Sequence, residues 1–267
     1  MIVFPIIVEP EQLQSELSNS RLLIVDLCRE SAYAKLHLPG AIHVSPLELI
    51  CGIKPATGKL PDIKQLSDLF SRIGLRADHH LVAYDDEGGG WAGRFLWTLD
   101  VIDHPAHSYL NGGLTAWIAE NRPVESRPNQ PDSAPVTVSI NRQPMVDKEY
   151  LLAHLDDPNV VIWDARSASE YNGSNMQAAR GGHIPGAINL DWLDTMDRDR
   201  DLRIRSDMED ILSNLGISRD KEVITHCQTH HRSSLTYLIG KSLGYSIKAY
   251  DGSWSEWGND PHTPIEA

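Results

Sequence analysis

The sequence predicts an α/β protein made of two tandem copies of one domain, each a mainly parallel sheet flanked by helices. Two observations predict this class. Several motifs of the first half return in the second half, and short apolar runs alternate with amphipathic runs within each half. Parallel strands need a crossover connection, usually a helix, so this alternation favours a parallel sheet covered on both faces.

The clearest repeated motif is a turn, His37–His43 (HLPGAIH), which returns as His183–Asn189 (HIPGAIN). Three further pairs of segments correspond in the same order: Ile7–Leu13 with Met145–Leu151, Leu22–Asp26 with Val160–Asp164, and Gly112–Trp117 with Gly252–Trp257. The spacing is that of a whole domain rather than of a solenoid repeat. We therefore predict that the chain contains two copies of one domain.

A polar, proline-rich stretch separates the copies, with its densest part at Ser126–Pro135. Proline removes a backbone donor and disfavours regular ladders, so this stretch predicts an extended linker. The predicted organisation is an N-terminal domain over residues 1–125, a linker over 126–143 and a C-terminal domain over 144–267.

In the second copy the apolar runs Val160–Asp164 and Glu222–His226 predict buried strands. The segments Asp207–Leu215 and Leu235–Leu243 have the apolar spacing of helices. Each of these helices is followed by a glycine suited to a C-terminal cap: Gly216 and Gly244. Parallel sheets of this kind bind ligands in loops beyond the carboxyl ends of their strands, which is where the loop after His226 lies.

The composition excludes several classes of partner. With 24 Lys+Arg against 37 Asp+Glu, the net charge of −13 argues against nucleic acid and anionic membranes. No apolar run has the length of a membrane span, and Met1–Val8 is short and interrupted by Pro5, so it predicts a first strand rather than a signal peptide. We expect a cytoplasmic protein.

The three cysteines, Cys28, Cys51 and Cys227, are widely spaced, which indicates reduced thiols rather than disulfides or a zinc knuckle. A metal site built from His226, Cys227 and the nearby histidines is disfavoured because no complementary ligand pair lies at suitable spacing. We expect no metal and no cofactor.

Cys227 is the candidate nucleophile. It follows a predicted strand, precedes a predicted helix and begins the basic loop Cys-Gln-Thr-His-His-Arg, residues 227–232. Unpaired N–H groups and the positive end of a helix dipole both favour the thiolate, which is the reactive form. Cys28 and Cys51 have no such basic loop, and we expect them to be inert.

The first copy differs where this chemistry would occur. Asp85 stands at the position of Cys227, and the loop that follows, Asp86–Trp91, is acidic and rich in glycine. A carboxylate is a poor nucleophile towards sulfur, so the first copy is predicted to be catalytically silent.

With these motifs the sequence resembles the tandem-domain rhodanese family, the thiosulfate:cyanide sulfurtransferases. Tyr33–Val44 is similar to the first family signature and Ala249–Trp257 to the C-terminal one. The loop Cys227–Arg232 resembles that of a bacterial subgroup. It differs from the Cys-Arg-Lys-Gly-Val-Thr loop of animal thiosulfate enzymes and from the Cys-Gly-Ser-Gly-Val loop of mercaptopyruvate enzymes.

The resemblance implies a covalent transfer in which Cys227 takes the outer sulfur of thiosulfate, releases sulfite and passes the sulfur to cyanide or a thiol. Arg232 would supply a cation for the donor, and Arg180 matches a donor-binding arginine of related enzymes. Further substrate-binding residues are those whose backbone N–H groups would surround the sulfur: Gln228, Thr229, His230, His231 and Arg232.

Three alternatives remain open. A 3-mercaptopyruvate sulfurtransferase would use another donor, and a persulfide relay module would give its sulfur only to a protein partner. Phosphatase or arsenate-reductase chemistry is disfavoured, because those relatives use Cys-x5-Arg whereas Cys227 and Arg232 form the tighter Cys-x4-Arg.

Four other residues are expected to have structural roles. Asp164 and Arg166 are expected to form an ion pair, and Trp117 and Trp257 are expected to pack in the cores.

Overall fold

The computed structural model describes residues 4–267. The chain forms two compact units. The first unit consists of three segments: the described residues up to Leu49, Pro61–Asn141 and Asp197–Arg203. The second unit also consists of three segments: Ile50–Leu60, Arg142–Met196 and Ile204–Ala267. The predicted linker at 126–143 and the domain limits set by it stay a prediction.

The first unit contains a five-stranded parallel sheet with the spatial order β1-β5-β4-β2-β3. Its strands are β1 Ile7–Val8, β2 Leu22–Asp26, β3 Ile42–His43, β4 His80–Tyr84 and β5 His107–Leu110. Its helices are α1 Pro10–Ser15, α2 Glu30–Tyr33, α3 Ile63–Arg72, α4 Gly90–Val101 and α5 Gly113–Ala119, with a 3-10 helix at Pro46–Leu49.

The second unit contains an equivalent parallel sheet with the order β6-β12-β11-β7-β8. Its strands are β6 Met145–Val146, β7 Val160–Asp164, β8 Ile188–Asn189, β11 Glu222–His226 and β12 Ser246–Tyr250. Its helices are α6 Lys148–Ala153, α7 Ala168–Tyr171, α8 Met208–Asn214, α9 Arg232–Ser242 and α10 Ser253–Trp257.

The remaining elements are short. They are the two-stranded sheet of β9 (Met196–Asp197) and β10 (Arg203–Ile204), and 3-10 helices at Trp192–Thr195 and Arg198–Arg200. The two five-stranded sheets flanked by helices confirm the predicted fold class. Of the predicted first strand Met1–Val8, β1 covers Ile7–Val8, and residues 1–3 lie outside the described part of the chain.

The predicted strands of the second copy are confirmed at both ends, because β7 and β11 have the predicted bounds. The helix predicted from Leu235 begins earlier, at Arg232. The apolar spacing missed the first turn because that turn is polar, although the side chains of Ser233 and Ser234 are buried. The Ser234 hydroxyl donates to the His230 carbonyl at 2.7 Å, which holds the first turn in place without apolar contacts.

Each unit has its own apolar core against its sheet, and the predicted packing of the two tryptophans is confirmed. Trp117 is fully buried with Val82 in the first core, and Trp257 is fully buried with Ile224 in the second. Their indole N–H groups donate to the carbonyls of residues 123 and 264, each at 2.8 Å. In residues 4–267, the helices all lack the length and apolar character of a membrane span.

Candidate active site

Cys227 is the first residue after β11 and is completely buried. The loop 228–231 connects it to α9, which begins at Arg232. The sulfur therefore lies at the carboxyl edge of the parallel sheet and before the N-terminus of a helix, where backbone N–H groups have no partner in the helix itself.

Backbone donors from α10 determine how the loop's peptide groups are turned. The carbonyl of Cys227 accepts the N–H of Trp254, and the carbonyl of Gln228 accepts the N–H of Ser255, both at 2.9 Å. In a trans peptide the carbonyl and the N–H of the next residue point in opposite directions. Fixing these carbonyls towards α10 turns the N–H groups of Gln228 and Thr229 away from α10, and the Thr229 N–H bonds to Cys227.

The backbone of His230 adopts an unusual conformation within the loop. Its φ of +54° lies in the left-handed region, which a non-glycine residue adopts at some cost. Its buried ring compensates by bonding through Nδ1 to the Ser233 hydroxyl at 2.8 Å. Sequence reasoning placed His230 in the site, and the structure shows it shaping the loop.

The surroundings of Cys227 favour the thiolate over the thiol. Complete burial opposes ionisation, yet the charge of Arg232 and hydrogen bonds from Ser233 and from the Thr229 backbone outweigh that effect and lower the pKa of Cys227. When the Ser233 hydroxyl donates to the sulfur, it accepts in turn from the ring of His230. Ser233 was not among the predicted site residues.

Arg232 is held by a carboxylate that the sequence did not single out. Its Nη1 and Nη2 donate to the two oxygens of Glu170 at 2.6 and 2.8 Å. Burial opposes both charges, but the pair raises the pKa of Arg232 and lowers that of Glu170. Glu170 also forms a capping box with Ser167 at the start of α7. The pattern Ser-x-x-Glu was a readable signal for that cap, although not for the pairing with Arg232.

A buried ion pair lies beside the end of β11, the strand that leads to Cys227. Arg166 donates to Asp164 at 2.6 Å, which confirms the expected ion pair, and its guanidinium lies 4.3 Å from the Trp254 ring centre. His226 donates through Nδ1 to the Cys227 carbonyl at 3.2 Å. Burial lowers the pKa of His226, which favours the neutral imidazole. These contacts fix the end of β11.

The side chains of two other predicted residues, Gln228 and His231, contact neighbouring segments, and the roles of their backbone N–H groups stay a prediction. The side chain of Gln228 is half-buried, and its amide donates to the carbonyl of Gln177 at 2.9 Å. The ring of His231 lies 5.6 Å from that of Trp192, centre to centre.

Arg180 donates from its terminal nitrogens to carbonyls at and beyond the end of α10, namely those of Trp257 at 3.0 Å, Asp260 and Thr263 at 2.8 Å. Those terminal nitrogens are therefore occupied in holding the C-terminal segment. A role of Arg180 in donor binding stays a prediction.

The corresponding position of the first copy holds Asp85, the first residue after β4. Its carboxylate accepts four backbone N–H groups, from Glu87 and Gly88 at 3.1 Å, Gly89 at 2.8 Å and Ala92 at 2.9 Å. Burial and the charge of Glu87 nevertheless raise the pKa of Asp85 to about 6. The side chain thus fills its own anion cradle.

The other two cysteines lack the features of Cys227. Burial and the nearby carboxylates Asp26, Asp86 and Asp85 raise the pKa of Cys28 far above its ordinary value. Cys51 is part-buried, and its sulfur contacts the carbonyls of residues 56 and 57 at 3.6 and 3.7 Å.

Across residues 4–267, His, Cys, Asp and Glu side chains do not gather in groups of three suited to a metal ion.

Comparison with known proteins adds a family and close relatives. The sequence profile described as "Rhodanese-like domain" matches residues 9–120 and 147–260. A protein named "Thiosulfate sulfurtransferase" from Azotobacter vinelandii is 52% identical over 263 residues, covering 98% of this chain and 97% of the relative. A protein of the same name from Pseudomonas aeruginosa is 49% identical, with the same coverage of both chains.

A likeness in fold also appears among solved structures. The anaerobic ergothioneine biosynthesis enzyme from Chlorobium limicola, solved with trimethyl histidine, aligns with a TM-score of 0.86 at 22% identity. The alignment covers 98% of this chain and 70% of that one. At this identity the likeness concerns the fold alone.

Proposed function

The chain belongs to the rhodanese-like domain family, and from that premise we propose that it is a thiosulfate sulfurtransferase in which Cys227 carries the sulfur. The observation that carries this proposal is the buried Cys227, whose pKa is lowered by Arg232 and by loop hydrogen bonds against the effect of burial. The close relatives named for this activity support the choice of donor.

In the first half-reaction the Cys227 thiolate attacks the outer sulfur of thiosulfate. A new S–S bond forms at Cys227, the S–S bond of thiosulfate breaks, and sulfite leaves with the electron pair. The negative charge then resides on the terminal sulfur of a persulfide. The loop N–H groups that favour the thiolate also favour this anion, and they need no reorientation to do so.

In the second half-reaction a thiophilic acceptor attacks the terminal sulfur, and the Cys227 thiolate leaves. With cyanide the product is thiocyanate; with a thiol it is a new persulfide. In the first half-reaction Arg232 would place positive charge near the thiosulfate dianion, and Glu170 would fix the orientation of the Arg232 guanidinium. The predicted substrate-binding roles of the loop residues belong to this proposal: Gln228, Thr229, His230, His231 and Arg232.

Two alternatives use the same cysteine. A 3-mercaptopyruvate sulfurtransferase would release pyruvate, and a relay module would transfer sulfur only to a protein acceptor. The test compares sulfite and thiocyanate release from thiosulfate and cyanide with pyruvate release from 3-mercaptopyruvate, using the same preparation. Faster turnover with thiosulfate supports the proposal. Faster pyruvate release rejects it in favour of a 3-mercaptopyruvate sulfurtransferase. No turnover with either donor rejects it in favour of a relay module.

A further inference from the structure

The peptide group between Thr229 and His230 is held differently from the two peptide groups before it in the Cys227 loop. The carbonyls of Cys227 and Gln228 accept N–H groups from that helix, and the His230 carbonyl accepts the Ser234 hydroxyl. The carbonyl of Thr229 lies instead against Gly58, which belongs to the segment Ile50–Leu60 of the second unit. That segment is far from the loop in sequence.

Gly58 leaves no space between the two backbones. A Cβ atom at Gly58 would lie 1.9 Å from the carbonyl oxygen of Thr229 and 2.6 Å from its carbonyl carbon. The backbone angles of Gly58 do not themselves demand glycine, because its φ lies outside the left-handed range. Glycine is therefore required here for the close approach to Thr229.

The segment is anchored on both sides of this contact. Directly after Gly58, the Lys59 ammonium lies 2.9 Å from a carboxylate oxygen of Glu256 in α10, and the Leu60 N–H donates to Asp251 at 2.8 Å. Before it, the N–H of Cys51 donates to the Lys59 carbonyl at 2.9 Å, which closes the segment into a compact loop. These bonds hold Gly58 in place at the Thr229 carbonyl.

We propose that Ile50–Leu60 is a positioning segment for the sulfur site, and that Gly58 sets the Thr229–His230 peptide. By limiting where the Thr229 carbonyl can lie, Gly58 turns the N–H of His230 towards the sulfur side of the loop. It also fixes Thr229, whose own N–H bonds to Cys227. Gly58 is a positioning residue, since its contact is with the loop and it acts through that loop.

This inference rests on the proposed function only for its kinetic consequence. Its structural consequence is a change in the ionisation of Cys227, which is measured without a sulfur donor. The readout is the ultraviolet absorbance of the thiolate against pH, taken as the difference between each protein and the same protein carrying Cys227→Ser. Subtraction removes the contributions of tyrosine and of the other thiols.

The main variant is Gly58→Ala, and its control is Gly52→Ala in the same segment. Gly52 has nothing within 4 Å of its Cβ position but has a φ of +69°, so the control strains the segment without a clash at Thr229. We expect Gly58→Ala to raise the midpoint of thiolate formation by about one unit, the effect of one weakened hydrogen bond to a charged group. It should lower kcat more than it raises KM, whereas Gly52→Ala should leave both the midpoint and kcat unchanged. An unchanged midpoint in Gly58→Ala overturns the proposal. An equal shift in Gly52→Ala overturns the part of it that assigns the effect to the contact between Gly58 and Thr229.

A second variant keeps the proposal testable if Gly58→Ala does not fold. Lys59→Glu places a carboxylate against Glu256 and should loosen the segment. The double variant Lys59→Glu with Glu256→Lys restores the ion pair and has the same net charge as the wild type. We expect the single variant to raise the midpoint and the exchanged pair to return towards wild type. A single variant with the wild-type midpoint contradicts the proposal. A changed midpoint in a protein without sulfur transfer would reject the proposed function alone.

Discussion

Asp85 and Cys227 occupy the same place in two equivalent sheets, and each fills the anion cradle of its own copy. Each is the first residue after the strand at the centre of its sheet, and each has its carbonyl bound at 2.9 Å by the N–H of a helix residue, Leu114 for Asp85 and Trp254 for Cys227. The cradle in the first copy is occupied by a carboxylate, and that in the second by a sulfur. The backbone is thus suited to an anion in both copies, and the side chain decides whether it can react.

Placing a thiol in the first copy should not transfer the activity. Asp85→Cys combined with Cys227→Ser is expected to gain no sulfur from thiosulfate, because Gly90 stands where the second copy has Arg232 and the adjacent Asp86 and Glu87 are acidic. Both features oppose thiolate formation and repel a dianion. The measurement is intact mass after incubation with thiosulfate, with Cys227→Ser alone as the control. Stoichiometric sulfur on residue 85 would show that the backbone cradle suffices.

Asp85 should make the stability of the protein pH-dependent. Its pKa in the folded protein is about 6, raised from 3.8 by burial and by the charge of Glu87. The folded state therefore holds the proton more tightly than the unfolded chain, so this contribution is fully present below 3.8 and is lost as pH rises through 6.

The measurement for that effect is the free energy of unfolding from denaturant titrations between those two pH values. We expect it to fall more steeply with rising pH in the wild type than in Asp85→Asn, which cannot ionise. Asp85→Asn should also be less stable at every pH, since an amide offers a single acceptor oxygen to the four N–H groups. Parallel pH profiles for the two proteins would show that Asp85 does not titrate in this range.

Removing the Ser233 hydroxyl should weaken the thiolate. Ser233→Ala is expected to raise the pKa of Cys227 by about one unit, because a hydrogen bond to a charged acceptor contributes roughly 1.5–3 kcal/mol. Thiolate absorbance against pH gives the shift. Ser255→Ala is a matched control from α10, since its hydroxyl donates to the Gly252 carbonyl rather than to the sulfur. Equal midpoints in Ser233→Ala and wild type would remove Ser233 from the account.

Arg232 and Glu170 should act as a unit. Arg232→Lys is expected to lower kcat/KM for thiosulfate by about tenfold or more, because lysine cannot bond both carboxylate oxygens in the arginine geometry. Glu170→Gln should lower it less. The combined variant Arg232→Gln with Glu170→Gln should be no worse than Arg232→Gln alone, since Glu170 acts through the arginine. Additive losses would indicate an independent role for Glu170.

The sequence predicted the local parts of this site well. The apolar run Glu222–His226 and the basic loop after it located Cys227 at the end of a strand, and the repeat identified Asp85 as its counterpart. The apolar run and the loop are short-range patterns, and the structure confirms the bounds of the strand. The helix α9 was placed too late in the chain because its polar first turn has no apolar periodicity.

Contacts made across the fold could not be read from local pattern. Glu170 reaches Arg232 because β7, which leads to α7, pairs with β11 in the sheet. The approach of Gly58 to Thr229 likewise depends on where the segment Ile50–Leu60 packs, which no periodicity encodes. The contacts of the Arg180 terminal nitrogens with the carbonyls of Trp257 and Thr263 also depend on where the C-terminal segment packs.

The central claim is that Cys227 carries the transferred sulfur. The intact mass of the protein after incubation with thiosulfate, followed by peptide mapping, tests it most directly. The account predicts a gain of one sulfur atom on Cys227, its loss on addition of cyanide, and no gain in Cys227→Ser. A sulfur found on Cys28 or Cys51, or a gain that persists in Cys227→Ser, would contradict it.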